Sequence, residues 1–443
     1  MAYKVGFISL GCPKNQVDAE RILAALDAAE IEITDYLDGA DAVIVNTCAF
    51  IDEAKAEAIE NILNMVELKS QGLVDKVIVT GCLAQRHQEE IFTEIPEVDA
   101  VLGIGANADI AALVLRVLEG DDTLFVCPSR KDLPLTGQRV LTTPEYWAYL
   151  KIADGCSNCC SYCTIPSIRG AARSVEMDAL VAEATALAES GVRELILIAQ
   201  DTTAYGLDLY GELKLPELLT RLSEIEGIAW LRLLYCYPDK ITDELLTVMA
   251  ENPKVLPYID MPVQHINDAV LKAMNRKGDG AAICETIARI REKLPEAVLR
   301  STFITGFPGE SEAAFEELAA FANETEFDRL GVFTFSPQEG TPAFDLPEQV
   351  EREIGEKRGE IIMADQYEIM QLRQNDKIGK CYEVLVEGYD PYTDSYIGRS
   401  YMDAPEIDTK ILFTGKGEYP EGSFVTVEIF GVNEYDLLGK MTK

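Results

Sequence analysis

The sequence predicts an α/β chain in three parts: an N-terminal α/β domain built on a parallel sheet, a central partial βα barrel, and a small all-β barrel at the C-terminal end. Three observations predict it. Apolar strands alternate with amphipathic helices at the start, the alternation resumes on a larger scale after a break, and the chain then changes to short alternating strands. At 443 residues, 48% hydrophobic and 26% charged, it is also too long for one compact core.

In residues 1–120 the strands are KVGFISLG, DAVIVNTCAF, KVIVTGC and VDAVLGIG, with helical stretches such as DAERILAALDAAE and EAKAEAIENILNMVEL between them. Continuously apolar strands separated by helices predict a parallel sheet covered on both faces. Residues 121–141 collect Pro, Gly and charge and read as a linker. Residues 142–372 offer six strands: WAYLKIADGC, RELILIAQ, AWLRLLYC, YIDMPVQ, LRSTFITGF and LGVFTFSP. Six βα units suggest a barrel or partial barrel, with its chemistry at the carboxyl ends of the strands. After the helix EREIGEKRGEIIMADQYEIMQLRQNDK, residues 373–443 hold CYEVLVEGYD, SYIGRSYM, TKILFTG, SFVTVEIFGVN and YDLLGKM, the pattern of a small β-barrel.

Composition narrows the function. No run of eighteen apolar residues occurs, and MAYKVGFISLG lacks the layout of a signal peptide, so a soluble, cytoplasmic protein is expected. A reducing compartment disfavours disulfides and makes metal binding or catalysis the reading for eleven cysteines, an odd number that cannot all pair. The net charge of -37 repels nucleic acid and steers a basic protein inward. With only His87 and His265, hydrolase triads and histidine-rich zinc sites are poorly provided for.

The densest motif is DGCSNCCSYCTIPSIRG, with Cys156, Cys159, Cys160 and Cys163. It parses as C-x3-C-x2-C through Cys156, Cys160 and Cys163, or as two overlapping C-x2-C pairs. A zinc ribbon needs a second pair fifteen to twenty residues on, and the next cysteine is Cys236. Three thiolates in one loop at a strand end match an iron–sulfur cluster better, and three ligands leave one iron open. Cys159 reads as the spare. A second constellation, Cys12 in SLGCPKNQVDAE, Cys48 in VNTCAFIDEA and Cys82 in VTGCLAQR, ends three separate strands. Carboxyl ends of strands in an open α/β sheet form one crevice, so these three argue for a second cluster. Gly11 and Gly81 read as turn formers that let the backbone approach it.

The C-x3-C-x2-C motif after a strand that opens a βα barrel resembles the radical S-adenosylmethionine (SAM) superfamily. With the second cysteine set and the terminal β-barrel, the whole chain resembles the methylthiotransferases, which join a methylthiotransferase N-terminal domain, a radical SAM core and a TRAM domain. The resemblance implies two four-iron (4Fe-4S) clusters and SAM as cofactors. Cys156, Cys160 and Cys163 would hold the SAM-cleaving cluster; Cys12, Cys48 and Cys82 would hold the auxiliary cluster that presents sulfur. LGCPKNQVDAE, IPSIRG, IAQDTTAYG and NEYDLLGK are similar to the type that modifies the β-carbon of an aspartate in ribosomal protein S twelve, a basic partner, and the tail would dock it. Asp376 to Lys443 carries 13 acidic and seven basic residues, unlike a nucleic-acid-binding barrel. A tRNA methylthiotransferase acting on a modified adenosine is the alternative within the class; a non-enzymatic iron–sulfur electron carrier or sensor is the alternative outside it.

The resemblance further implies that Gln200 and Asp201, with Glu194 on the same strand, and Gln264 and Arg276 lie near SAM. His265 is expected to be structural. FITGFPGES lacks the Lys-Ser/Thr of a P-loop, so Gly306 and Gly309 read as a strand-to-helix turn. Cys127, Cys236, Cys284 and Cys381 read as core or surface thiols.

Overall fold

The computed structural model describes residues 3–121 and 124–442; residues 1, 2, 122, 123 and 443, which the expected domains and linker include, lie outside the described residues. The first sheet has six parallel strands: β1 (Lys4–Ser9), β2 (Glu32–Thr34), β3 (Ala42–Thr47), β4 (Val77–Gly81), β5 (Ala100–Leu102) and β6 (Leu124–Val126), in the order β2-β1-β3-β4-β5-β6. Every residue of β3 and β4 is buried, as their unbroken apolar runs predict. Val43, Val45, Val77 and Val79 pack with Ala58, Ile62 and Met65 of one helix. Ile44 and Ile78, pointing the other way, meet Ile22 and Leu26 of the helix Pro13–Ala28. Edge strands β2 and β6 escape sequence reading because three residues carry too little periodicity, and β6 falls inside the stretch read as linker.

The central sheet contains β7 (Trp147–Lys151), β10 (Glu194–Ile198), β11 (Trp230–Leu233), β12 (Val255–Asp260), β13 (Val298–Thr305) and β14 (Arg329–Thr334). They pair in parallel in the order β7-β10-β11-β12-β13-β14, and β7 and β14 do not close on each other. This is the partial βα barrel expected. A small ribbon of β8 (Ala153–Asp154) and β9 (Arg173–Ser174) brackets the cysteine-rich loop. Gly306 and Gly309 stand at positive φ between β13 and the helix Glu312–Thr325, as a turn requires.

The tail forms a closed five-stranded barrel of β15 (Cys381–Asp390), β16 (Ser395–Arg399), β17 (Ile411–Thr414), β18 (Phe424–Asn433) and β19 (Asp436–Met441). It seats on the partial barrel through buried polar contacts. Glu194, the first residue of β10, accepts from Arg232 Nε at 2.7 Å and from Arg399 Nη2 at 2.8 Å. Tyr258 donates to Asp408 at 2.6 Å, and Arg329 Nη2 donates to Asp403 at 2.8 Å. The expectation that Glu194 lies near SAM is corrected here: it opens its strand beneath the tail, away from the carboxyl end. Among the described residues, no helix is long and apolar enough to cross a membrane.

Candidate active site

Cys12, Cys48 and Cys82 follow β1, β3 and β4, three neighbours in one sheet, so parallel pairing brings them together from distant parts of the chain. Their turns are tied to one another. Asn15 Nδ2 donates to Leu10 O at 2.7 Å and to Thr47 O at 3.3 Å, and Thr47 Oγ1 donates to Thr80 O at 2.6 Å. Gly11 has φ +98°, and a Cβ there would stand 2.7 Å from Cys48 Cβ and 3.0 Å from its Sγ. Gly81 has φ +93°, with Thr47 O only 2.5 Å from where its Cβ would be. Both glycines are therefore required by space as well as by conformation.

Cys156, Cys160 and Cys163 lie on the loop between β8 and β9. Cys156 N donates to Gly170 O at 3.0 Å, Ser161 N to Met274 O at 2.9 Å, and Cys163 N to Cys160 O at 3.0 Å. Cys159 turns outward: it is exposed at φ +54°, and its carbonyl accepts from Asn275 Nδ2 at 2.8 Å. Cys160 Sγ lies 3.7 Å from Tyr237 OH.

All six thiols line one cavity of about 530 Å³, which Cys159 does not reach. Among the described residues no three His, Cys, Asp or Glu side chains are grouped to hold a single metal ion; a four-iron cluster takes one thiolate per iron and needs no such grouping. Burial pushes the Cys82 and Cys163 thiols up to about 12 and raises Cys48 and Cys156 as well. At Cys12 burial also raises the pKa, but the charges of Lys14 and Arg169, with backbone donors at Asn15 and Lys14, outweigh it and bring it below its ordinary value. Thiols of this kind ionise as they bind metal.

Among the described residues no Asp or Glu lines the cavity, although the chain has 76 of them, whereas Lys14, Arg169 and Arg276 do. Arg169 is committed: Nη1 donates to Asp18 and Asp154 at 2.8 and 2.7 Å, and Lys151 pairs with the same two carboxylates. Gln200, Gln264 and Arg276 are lining residues, and Gln200 Oε1 is buried without a partner. Asp201 is not among them; it caps Thr202–Ala204 and accepts from Asn158 Nδ2 at 2.7 Å, so it orients a lining residue. His265 is fully buried, with Nδ1 accepting from the amides of Ile266 and Asn267, each at 3.0 Å. Cys236, read as a scattered thiol, also lines the cavity, as do Tyr235 and Tyr237. Their one sequence signal was position, at and just beyond the carboxyl end of β11.

Family models match three stretches: Uncharacterized protein family UPF0004 over residues 4–103, the Radical SAM superfamily over 150–322, and the TRAM domain over 378–442. The chain is 46% identical to "Ribosomal protein uS12 methylthiotransferase RimO" of Desulforamulus reducens, with 99% of each chain covered. It is 44% identical to the protein of the same name in Acetivibrio thermocellus, covering 100% of this chain and 99% of the relative. The fold also resembles the radical S-adenosylmethionine methyltransferase TsrM of Kitasatospora setae, with TM-score 0.59, 15% identity and 77% of each chain covered.

Proposed function

The chain belongs to the family of ribosomal protein uS12 methylthiotransferases named RimO, and we propose that it inserts a methylthio group at the β-carbon of an aspartate of uS12. The observation that carries this reading is the cavity lined by two groups of three cysteines and, among the described residues, by no carboxylate. The donor set fits the cofactors: six thiols, two buried and four half-buried, and the unpartnered Gln200 Oε1 form a polar lining for cluster and SAM.

Cys156, Cys160 and Cys163 would hold the cluster that engages SAM, and Cys12, Cys48 and Cys82 a second cluster. When bound, these groups supply radical cleavage of SAM, hydrogen removal from an unactivated carbon, and sulfur carrying a methyl group taken from a second SAM. The chain's own residues bind, orient and shield. Ser161, Gly170, Met274 and Asn275 fix the triad loop. Asp201 and Lys240 hold Asn158 at the cavity wall, with Lys240 Nζ 3.1 Å from Asn158 Oδ1. Ile165, Ile168 and Phe335 form part of an apolar wall that limits water. The acidic surface, -37 overall, favours a basic ribosomal protein over tRNA.

Mass spectrometry of uS12 and tRNA from cells with and without this protein tests the reading: the methylthio group is expected to vanish from uS12. Its loss from tRNA alone would overturn the substrate. Anaerobic reconstitution should give iron and sulfide for two clusters, and Cys159→Ser should leave that content unchanged. Replacing Cys156, Cys160 and Cys163 by Ala should remove one cluster's worth together with SAM cleavage.

A further inference from the structure

Lys14 is 7% exposed and lines the cavity two residues after Cys12. Its Nζ lies 3.2 Å over the ring of Tyr235, and among the described residues no carboxylate is paired with it directly, although the charges of Asp260 and Asp154 reach it. Four other buried cations are matched: Lys151 and Arg169 share Asp18 and Asp154, while Arg232 and Arg399 share Glu194; Lys377, also buried, donates to Gln374 Oε1 instead. Apart from the Cys12 thiolate, whose charge it favours, this buried ammonium has no carboxylate paired with it among the described residues, an unfavourable state in a chain with acids in excess. Its neighbourhood is nevertheless built to hold it there. Tyr235 adopts φ +63°, a strained backbone for a non-glycine residue, and its N–H donates to Asp260 Oδ2 at 2.9 Å, fixing the ring under Nζ.

Among the described residues the cavity has one other cation without a carboxylate partner. Arg276 donates to Pro262 O at 2.7 Å and Tyr162 OH at 3.3 Å and lies over Tyr237, the residue whose hydroxyl faces Cys160. Arg276 therefore serves the Cys156–Cys160–Cys163 side and Lys14 the Cys12 side. We propose that Lys14 is the specificity residue that binds the side-chain carboxylate of the substrate aspartate. This rests on the protein-substrate reading above. The carboxylate carbon is bonded directly to the β-carbon, so an ion pair to Lys14 presents that carbon beside Cys12, and an asparagine in its place offers no charge to pair.

The test uses the reconstituted holoenzyme with SAM and two fluorescent uS12 peptides, one with the target aspartate and one with asparagine there. The wild type is expected to bind the aspartate peptide at least about tenfold more tightly, the scale of one well-made charged contact. Lys14→Met and Lys14→Gln should bring the ratio near one with SAM affinity unchanged, and Lys14→Arg should keep a preference for aspartate. A wild type that binds both peptides equally would overturn the assignment. So would a Lys14→Gln enzyme that discriminates like wild type, or one that loses SAM affinity instead. Whether the wild type methylthiolates the aspartate peptide at all is read separately by mass, so failure of the substrate reading is told apart from failure of the Lys14 assignment.

Discussion

Arg169 donates from Nη2 to the Sγ of Cys82 at 3.4 Å. The same guanidinium holds Asp154, which precedes Gly155 and Cys156, so one side chain braces both groups of thiols. Arg169 is buried, and so are Asp18, Asp154 and Lys151 around it.

Arg169→Met should leave two buried carboxylates with only Lys151 between them. Breaking a buried pair from one side costs about 3–5 kcal/mol. Denaturant unfolding of the metal-free protein measures this, and a loss under about 1 kcal/mol would show that the network does not hold the two parts together.

Gly11→Ala and Gly39→Ala separate conformation from space. Both glycines have positive φ, but a Cβ at Gly39 meets nothing within 4 Å, whereas one at Gly11 runs into Cys48. Each should lose about 1–2 kcal/mol from backbone conformation. Only Gly11→Ala should also lower bound iron, by displacing Cys48. Equal iron in the two variants would remove Cys48 from the ligand set.

Lys377 is buried, and burial, helped by the charge of Arg329, holds its ammonium down to about 8. Between that value and the ordinary 10.5, the unfolded chain binds a proton that the folded chain does not, so this residue's contribution makes folding more favourable as pH rises. Lys377→Met should therefore be more stable than wild type at pH 7, by up to about 3 kcal/mol, with the gap closing as pH rises towards 10.5. Unfolding midpoints across that range would show it; a gap independent of pH would mean the amine is not suppressed by folding.

Much of the fold was legible because its signals are local. The unbroken apolar runs of β3 and β4 and the six strands of the partial barrel each identify themselves within a few residues. Glu194 shows the limit: as the opening residue of its strand it lies away from the carboxyl end where the chemistry is expected, but its buried partner Arg399, far along the chain, was not readable. Lys14 and Tyr235 were unreadable as a pair for the same reason.

By itself the sequence determined the three-part architecture, the two cysteine sets and the odd status of Cys159, because residue type, spacing and periodicity are properties of short stretches. Only the tertiary structure decided that both sets line one cavity, that Asp201 supports Asn158 without reaching the cavity, and that Lys14 stands buried over the Tyr235 ring. The physical reason is that burial and charge pairing depend on which distant segments the strands bring side by side, and those partners are chosen by packing across the whole chain.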